Sequence, residues 1–231
     1  MSACFAVVGA AALPGKRPYH DPSQIRRIHE AGHEVGSHAF QHEWLPGLGR
    51  RELLETLRAS KSAIEQCIGA PVSTFVPPYN QPYDYIQGSS LSLSERRLAG
   101  RNRTNLSQLC EALVETGYLF SRVSYRPIFQ RISERLLRRR LDQPSRFEKI
   151  GGITCIRLNT PGGFDEPALL MLERCAEAGG VVVVYGHPHS IQGQGSQNES
   201  HLIAFLKRVS ELTRQNKLAI TLPNRVLGTP A

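Results

Sequence analysis

Short apolar runs alternate along this chain with segments whose apolar residues recur every three or four positions. The run Cys4-Phe5-Ala6-Val7-Val8-Gly9 predicts a buried strand, followed by a Pro/Gly loop over 14–22 and a helix near Ser23–Ala31. A strand is predicted at His33–Ser37. Leu53, Leu54, Leu57, Ile64 and Ile68 then fall at helical spacing, predicting a helix over 50–68 that Gly69 stops. Thr74-Phe75-Val76 reads as a short strand ending at Pro77-Pro78. Further on, the pattern predicts a helix at Leu106–Glu115, a strand at Tyr118–Ser124, a basic helix at Arg131–Leu141 and a strand at Thr154–Leu158. A helix at Glu166–Ala178 is stopped by Gly179-Gly180. The unbroken run Val181-Val182-Val183-Val184-Tyr185 predicts a strand buried on both faces. A helix at His201–Gln215 and a strand at Leu218–Leu222 close the series. Residues 86–105 are polar and weakly patterned, as a surface insertion would be. The alternation predicts an α/β fold with a parallel sheet, open or closed into a barrel, in one domain spanning 1–231. Ligand sites in such folds lie at the carboxyl ends of the strands.

Composition narrows this modestly. At 231 residues and 40% hydrophobic, the chain can bury one sizeable core. Its five cysteines (Cys4, Cys67, Cys110, Cys155 and Cys175) are scattered without a Cys-x-x-Cys pair, which predicts reduced thiols in a cytoplasm-like compartment. No stretch approaches the roughly 20 apolar residues of a membrane span. The formal charge of +8 is concentrated in the 131–146 segment, around Arg138-Arg139-Arg140. No aromatic residues interleave there to stack bases, so a solvated helix face is favoured over nucleic-acid binding. Nothing in the composition fixes an oligomeric state.

The densest chemistry lies in Gly32-His33-Glu34-Val35-Gly36-Ser37-His38-Ala39-Phe40-Gln41-His42. His38 and His42 are four apart, which places both imidazoles on one face if the segment forms a helical turn. Two neutral nitrogens could then converge on one divalent ion. A surface or core role for the histidines stays open on spacing alone. Ser37 is positioned to cap the turn, and His33, alternating with Val35, reads as a buried structural histidine. Pro77-Pro78-Tyr79-Asn80 and Gly186-His187-Pro188-His189 follow two other predicted strands. Three segments thus deliver polar groups to one predicted face.

With these pieces in place, the chain resembles the polysaccharide deacetylase family, the NodB-homology enzymes of carbohydrate esterase family four. The resemblance rests on Phe5–Gly9, Gly32–His42, Phe75–Asn80 and Tyr185-Gly186-His187, the last similar to the family's late Leu-x-His motif. It implies a distorted seven-stranded β/α barrel and metal-dependent removal of N-acetyl groups from a glycan or amino sugar. By the same resemblance, His38 and His42 are metal ligands, with Zn2+ as the expected metal. The Tyr79 backbone amide holds the oxyanion, and Pro78, Tyr79 and Tyr185 border the substrate. His187 protonates the leaving amine, with His189 as the alternate.

The departures are as informative as the matches. The family's first strand ends in a Thr-Phe-Asp-Asp-Gly-type motif whose aspartates serve as catalytic base and third metal ligand; no such motif occurs here. The barrel is therefore expected to lack its first strand, Met1 being an internal methionine of a truncated gene model. A secretion signal could have been lost with the missing segment. Val76 also stands where the family has an arginine, which favours a degenerate member that binds glycan without turnover. An amide or ureide hydrolase of the same fold is a further alternative, with Asn80, Gln81 and the insertion reshaping the pocket. Two neutral ligands without a carboxylate predict weak metal binding.

Overall fold

The computed structural model describes residues 1–15, 20–79, 103–123, 145–157 and 162–226. The predicted basic helix at 131–141, Asn80, Gln81 and all but the last three residues of the 86–105 segment lie outside them. The described strands are β1 (Cys4–Val7), β2 (Glu34–Ser37), β3 (Thr74–Phe75), β4 (Phe120–Val123), β5 (Phe147–Ile150) and β6 (Ile153–Arg157). The helices are α1 (Pro22–Glu30), α2 (Arg50–Ile68), α3 (Leu106–Glu115), α4 (Glu166–Ala178), α5 (Glu199–Arg214) and α6 (Pro223–Val226). This is a mixed α/β fold with a six-stranded sheet in the order β1-β2-β3-β4-β6-β5. None of the described helices is long and apolar enough to cross a membrane.

The chain divides into two compact units. The first comprises Met1–Ile128, Glu148–Ile156 and Thr221–Ala231, and the second Phe129–Phe147 and Arg157–Ile220. In the first unit, β1 to β4 pair in parallel, Val7 opposite Ser37, Ser37 opposite Phe75 and Phe75 opposite Ser121. Helix α1 starts where Asp21 accepts from the amides of Ser23 and Gln24 while the Gln24 side chain accepts from the Asp21 amide. This reciprocal cap is worth about 1 kcal/mol. Asp21, an acid ahead of the histidine strand, therefore has a local structural task. Helix α2 ends at Gly69, whose φ of 67° is the left-handed conformation glycine adopts without strain. Its buried stripe, Leu53, Leu57 and Ile64, packs into one core with Val7, Val35, Phe75, Leu109 and Tyr118. Gly151-Gly152, both at positive φ, turn β5 back onto β6. A two-residue connection permits only an antiparallel hairpin, an element the sequence pattern had not predicted.

The second unit holds α4 and α5, whose buried Ala168, Leu172, Phe205, Val209 and Leu212 form a core of their own. Here two expected strands fail. Among the described residues, Val181–Tyr185 is not a strand: Val181 makes one antiparallel bridge to Ser145, and the run is half-buried. Val182 and Val184 pack on the α4–α5 core, and that contact with the helices takes the place of the expected strand pairing. Leu218–Leu222 likewise forms no strand; Leu218 joins that core and Leu222 leads into α6.

Candidate active site

The site is built where the parallel strands of the first unit end. His38 follows β2 directly, and Val76-Pro77-Pro78-Tyr79 follow β3. The expected helical turn at 38–42 does not form. Its main-chain groups bond across to the segment after β1: His38 N–H to Val7 O at 2.8 Å, Gly9 N–H to Ala39 O at 2.9 Å and Ala10 N–H to Phe40 O at 2.8 Å. Ala39 and His42 each sit at φ 62°, in the left-handed region. A left-handed residue breaks the regular i to i+4 ladder, so the chain loops back instead of coiling.

The loop nevertheless brings the two imidazoles together. Their ring centroids are 4.8 Å apart with the planes at 72°. An ion about 2.05 Å from a ring nitrogen lies roughly 3.2 Å from that ring's centroid, so two rings sharing a tetrahedral ion stand about 5 Å apart. The observed separation fits. The His38 Nδ1 lies 2.6 Å from the carbonyl oxygen of Val76. A carbonyl only accepts, so Nδ1 carries the proton and the lone pair is on Nε2, the tautomer a metal-binding histidine needs. Two histidines fit a divalent ion; a third His, Cys, Asp or Glu does not join them among the described residues.

Around this pair stands an aromatic wall. The Tyr79 ring packs edge-on to His42 at 4.6 Å, and Trp44 tilts against Tyr79 at 5.4 Å. Tyr79 follows two buried prolines and is itself left-handed, at φ 59°. The pair of prolines fixes the chain ahead of its amide.

Beneath the loop, α2 contributes polar side chains that the sequence analysis missed. Ser60 Oγ donates to Ala39 O at 2.9 Å and lies 2.8 Å from Ser37 Oγ. Ser37 therefore braces the loop through Ser60, not as the expected cap. The buried Tyr118 hydroxyl, donating to Leu57 O at 3.2 Å, lies beside both serines, and burial pushes its phenol up. Thr56 Oγ1 donates to Glu43 Oε1 at 2.5 Å, and Glu43 Oε2 accepts from the Gln41 amide at 2.8 Å. The carboxylate next to His42 is thus held by α2. A readable signal did exist, since Thr56 and Ser60 are polar residues four apart inside the apolar stripe of α2. His33 is half-buried and structural, its Nδ1 accepting from the Ala3 amide at 3.1 Å and its ring packing edge-on to Phe5.

The remaining candidates stand together in the second unit. Tyr185 and His187 are edge-on at 6.2 Å, and His187 and His189 are 5.3 Å apart. Gln197 Oε1 accepts from the His187 amide at 2.7 Å and lies 3.2 Å from its Nδ1. In the His189 segment, Ser190 N–H bonds back to His187 O.

Residues 1–93 match the family model described as polysaccharide deacetylase. The matched segment is similar to that family's model and makes up less than half of the 231-residue chain. It contains His38, His42, Pro78 and Tyr79, while Tyr185, His187 and His189 lie beyond it. No curated protein sequence matches the chain. Among solved structures, a Mycobacterium smegmatis protein described as a polysaccharide deacetylase is similar over 96% of this chain and 76% of its own, at 18% identity and a TM-score of 0.55. That likeness shows the deacetylase fold. A family 4 carbohydrate esterase from Streptomyces lividans, solved with acetate, aligns over 96% of this chain and 79% of its own at 14% identity and a TM-score of 0.49. A family 4 acetyl xylan esterase from Clostridium thermocellum, solved with a cobalt ion, aligns at 23% identity and a TM-score of 0.30 over 33% of this chain. The alignment spans about a third, 35%, of that esterase's length.

Proposed function

We propose that this protein is a metal-dependent hydrolase that removes N-acetyl groups from a glycan or amino sugar, with His38, His42 and Tyr79 at its centre. The observation that carries the reading is the imidazole pair at ring spacing for one ion, with Val76 O fixing the His38 tautomer. Two neutral nitrogen donors suit zinc. A bound divalent cation would supply carbonyl polarisation and a lower pKa for water. The Tyr79 amide then donates to the oxygen that becomes negative as water adds to the acetyl carbon. The Tyr79 and Trp44 rings, with Pro78, offer an apolar wall for a sugar ring, and Tyr185 serves as a further substrate contact. His187 is the general acid: its imidazole gives a proton to the departing amine, so that amide and water become amine and acetate. Gln197 favours His187 over His189 for that role, because it holds both the backbone and the ring of His187.

No carboxylate joins the pair among the described residues, so the reading predicts weak zinc binding and slow turnover. A missing general base lowers the rate by about 10²–10⁴. The test is acetate release from N-acetylglucosamine oligomers at saturating zinc, with and without formate as an added carboxylate. Slow release that formate accelerates and His38→Ala abolishes is the expected result. Oligomer binding with no acetate under either condition would assign the chain to glycan binding instead.

A further inference from the structure

Ser60, on a helix that carries no proposed ligand, is the residue through which α2 meets the loop between the two histidines. It is fully buried. Its single hydroxyl proton goes to Ala39 O, so the 2.8 Å contact with Ser37 must have Ser37 donating to Ser60. A relay therefore runs from β2 through α2 into Ala39, the left-handed residue that turns the chain from His38 towards His42. A non-glycine residue in that conformation is strained and persists only where its surroundings over-determine it. Two donors converge on the Ala39 carbonyl to do so, Gly9 N–H and Ser60 Oγ, each at 2.9 Å. Gly9 itself is bound to this arrangement: a Cβ added there would stand 2.6 Å from Ser60 Cα. His38 is braced through Nδ1 to Val76 O and the His42 ring packs edge-on to Tyr79, while the main chain runs from His38 to His42 through the Ala39 turn.

We propose that Ser60 is a positioning residue for the metal pair. With Ser37, it sets where His42 stands relative to His38, and so whether both rings can reach one ion. This rests on the metal reading of the pair. Removing an outer brace of this kind lowers metal affinity by about 10–100-fold.

The test is zinc titration of the full chain by calorimetry, together with ring nitrogen shifts of the histidines by NMR. Wild type should shift both His38 and His42 on zinc addition. Ser60→Ala should bind zinc at least about tenfold more weakly, with the His42 shift lost and the His38 shift retained. A role confined to stability would move the melting temperature and leave both shifts in the folded protein unchanged. Ser62→Ala, an exposed position on the same helix, should match wild type. If Ser60→Ala does not fold, Ser37→Ala decides, since it leaves the Ser60–Ala39 bond in place and should weaken zinc by a smaller factor with the same loss at His42. Wild-type affinity and both shifts in these variants would overturn the inference while leaving the metal reading standing. Failure of wild type to bind zinc at all would overturn both.

Discussion

At the scale of single residues, the histidine segment separates two kinds of buried polar group. Ser37 and Ser60 are neutral, Ser37 donating to Ser60 and Ser60 to Ala39 O. Glu34 is an acid buried at the other end of β2, where the Thr74 hydroxyl and the Asn224 amide donate to its two oxygens. Burial raises its carboxyl above the ordinary value, and these bonds only partly offset that. The sign follows from linkage. Below the ordinary carboxylate value both states are protonated and the contribution is fully present; as pH rises the unfolded chain ionises first, so stability is lost up to the folded value. Urea midpoints at pH 4 and pH 7 should therefore fall less for Glu34→Gln than for wild type. An equal fall in both would refute this assignment. The chemistry of His38 and His42 could be read from residue type and order. The Val76 carbonyl could not, because any residue there would offer the same oxygen; the side chain that departs from the family is not the part the site uses.

Between elements, the site depends on close approach of β1, β2 and α2. Gly9 lies against the α2 backbone, and a methyl group there would force the helix away. Overpacking of this sort costs about 1–3 kcal/mol. Gly9→Ala should lower the thermal midpoint and weaken zinc together, whereas a variant that lost stability with unchanged zinc affinity would separate the helix contact from the site. The element boundaries show why sequence reading worked where it did. Helices α2, α3 and α4 have the predicted limits, because each combines an apolar stripe with a capping residue. The 38–42 turn and the 181–185 run were misjudged for a shared reason. Spacing and β-branching describe local preference, and in both places bonds or packing to distant segments decide the conformation. The β5–β6 hairpin was missed because its strands are short and half exposed, though Gly151-Gly152 was a usable turn signal.

Across the whole molecule, the proposed roles are divided between two compact units, each with its own core. The family match lies within the unit that carries the histidine pair, while the proposed acid stands in the other. That division makes the acid separable by experiment. His187→Ala should cut acetate release by about 10²–10⁴ with zinc affinity unchanged, and His189→Ala should leave release near wild type; the reverse pattern would exchange the two assignments. The alternation of strands and helices, the α/β class and the position of His38 and Pro77–Tyr79 after two parallel strands were legible in the sequence, whereas the strand expected before His187 does not form. The brace from α2 was not, because it joins residues 23 positions apart through side chains that spacing alone leaves unconnected.

If His38 and His42 share one divalent ion, calorimetric titration of the chain with zinc should give one zinc per chain, bound weakly. Its affinity should fall in either His38→Ala or His42→Ala by more than the roughly 10–100-fold lost with an outer brace. Zinc binding that survives either substitution unchanged, or no binding by the wild-type chain, would contradict that sharing.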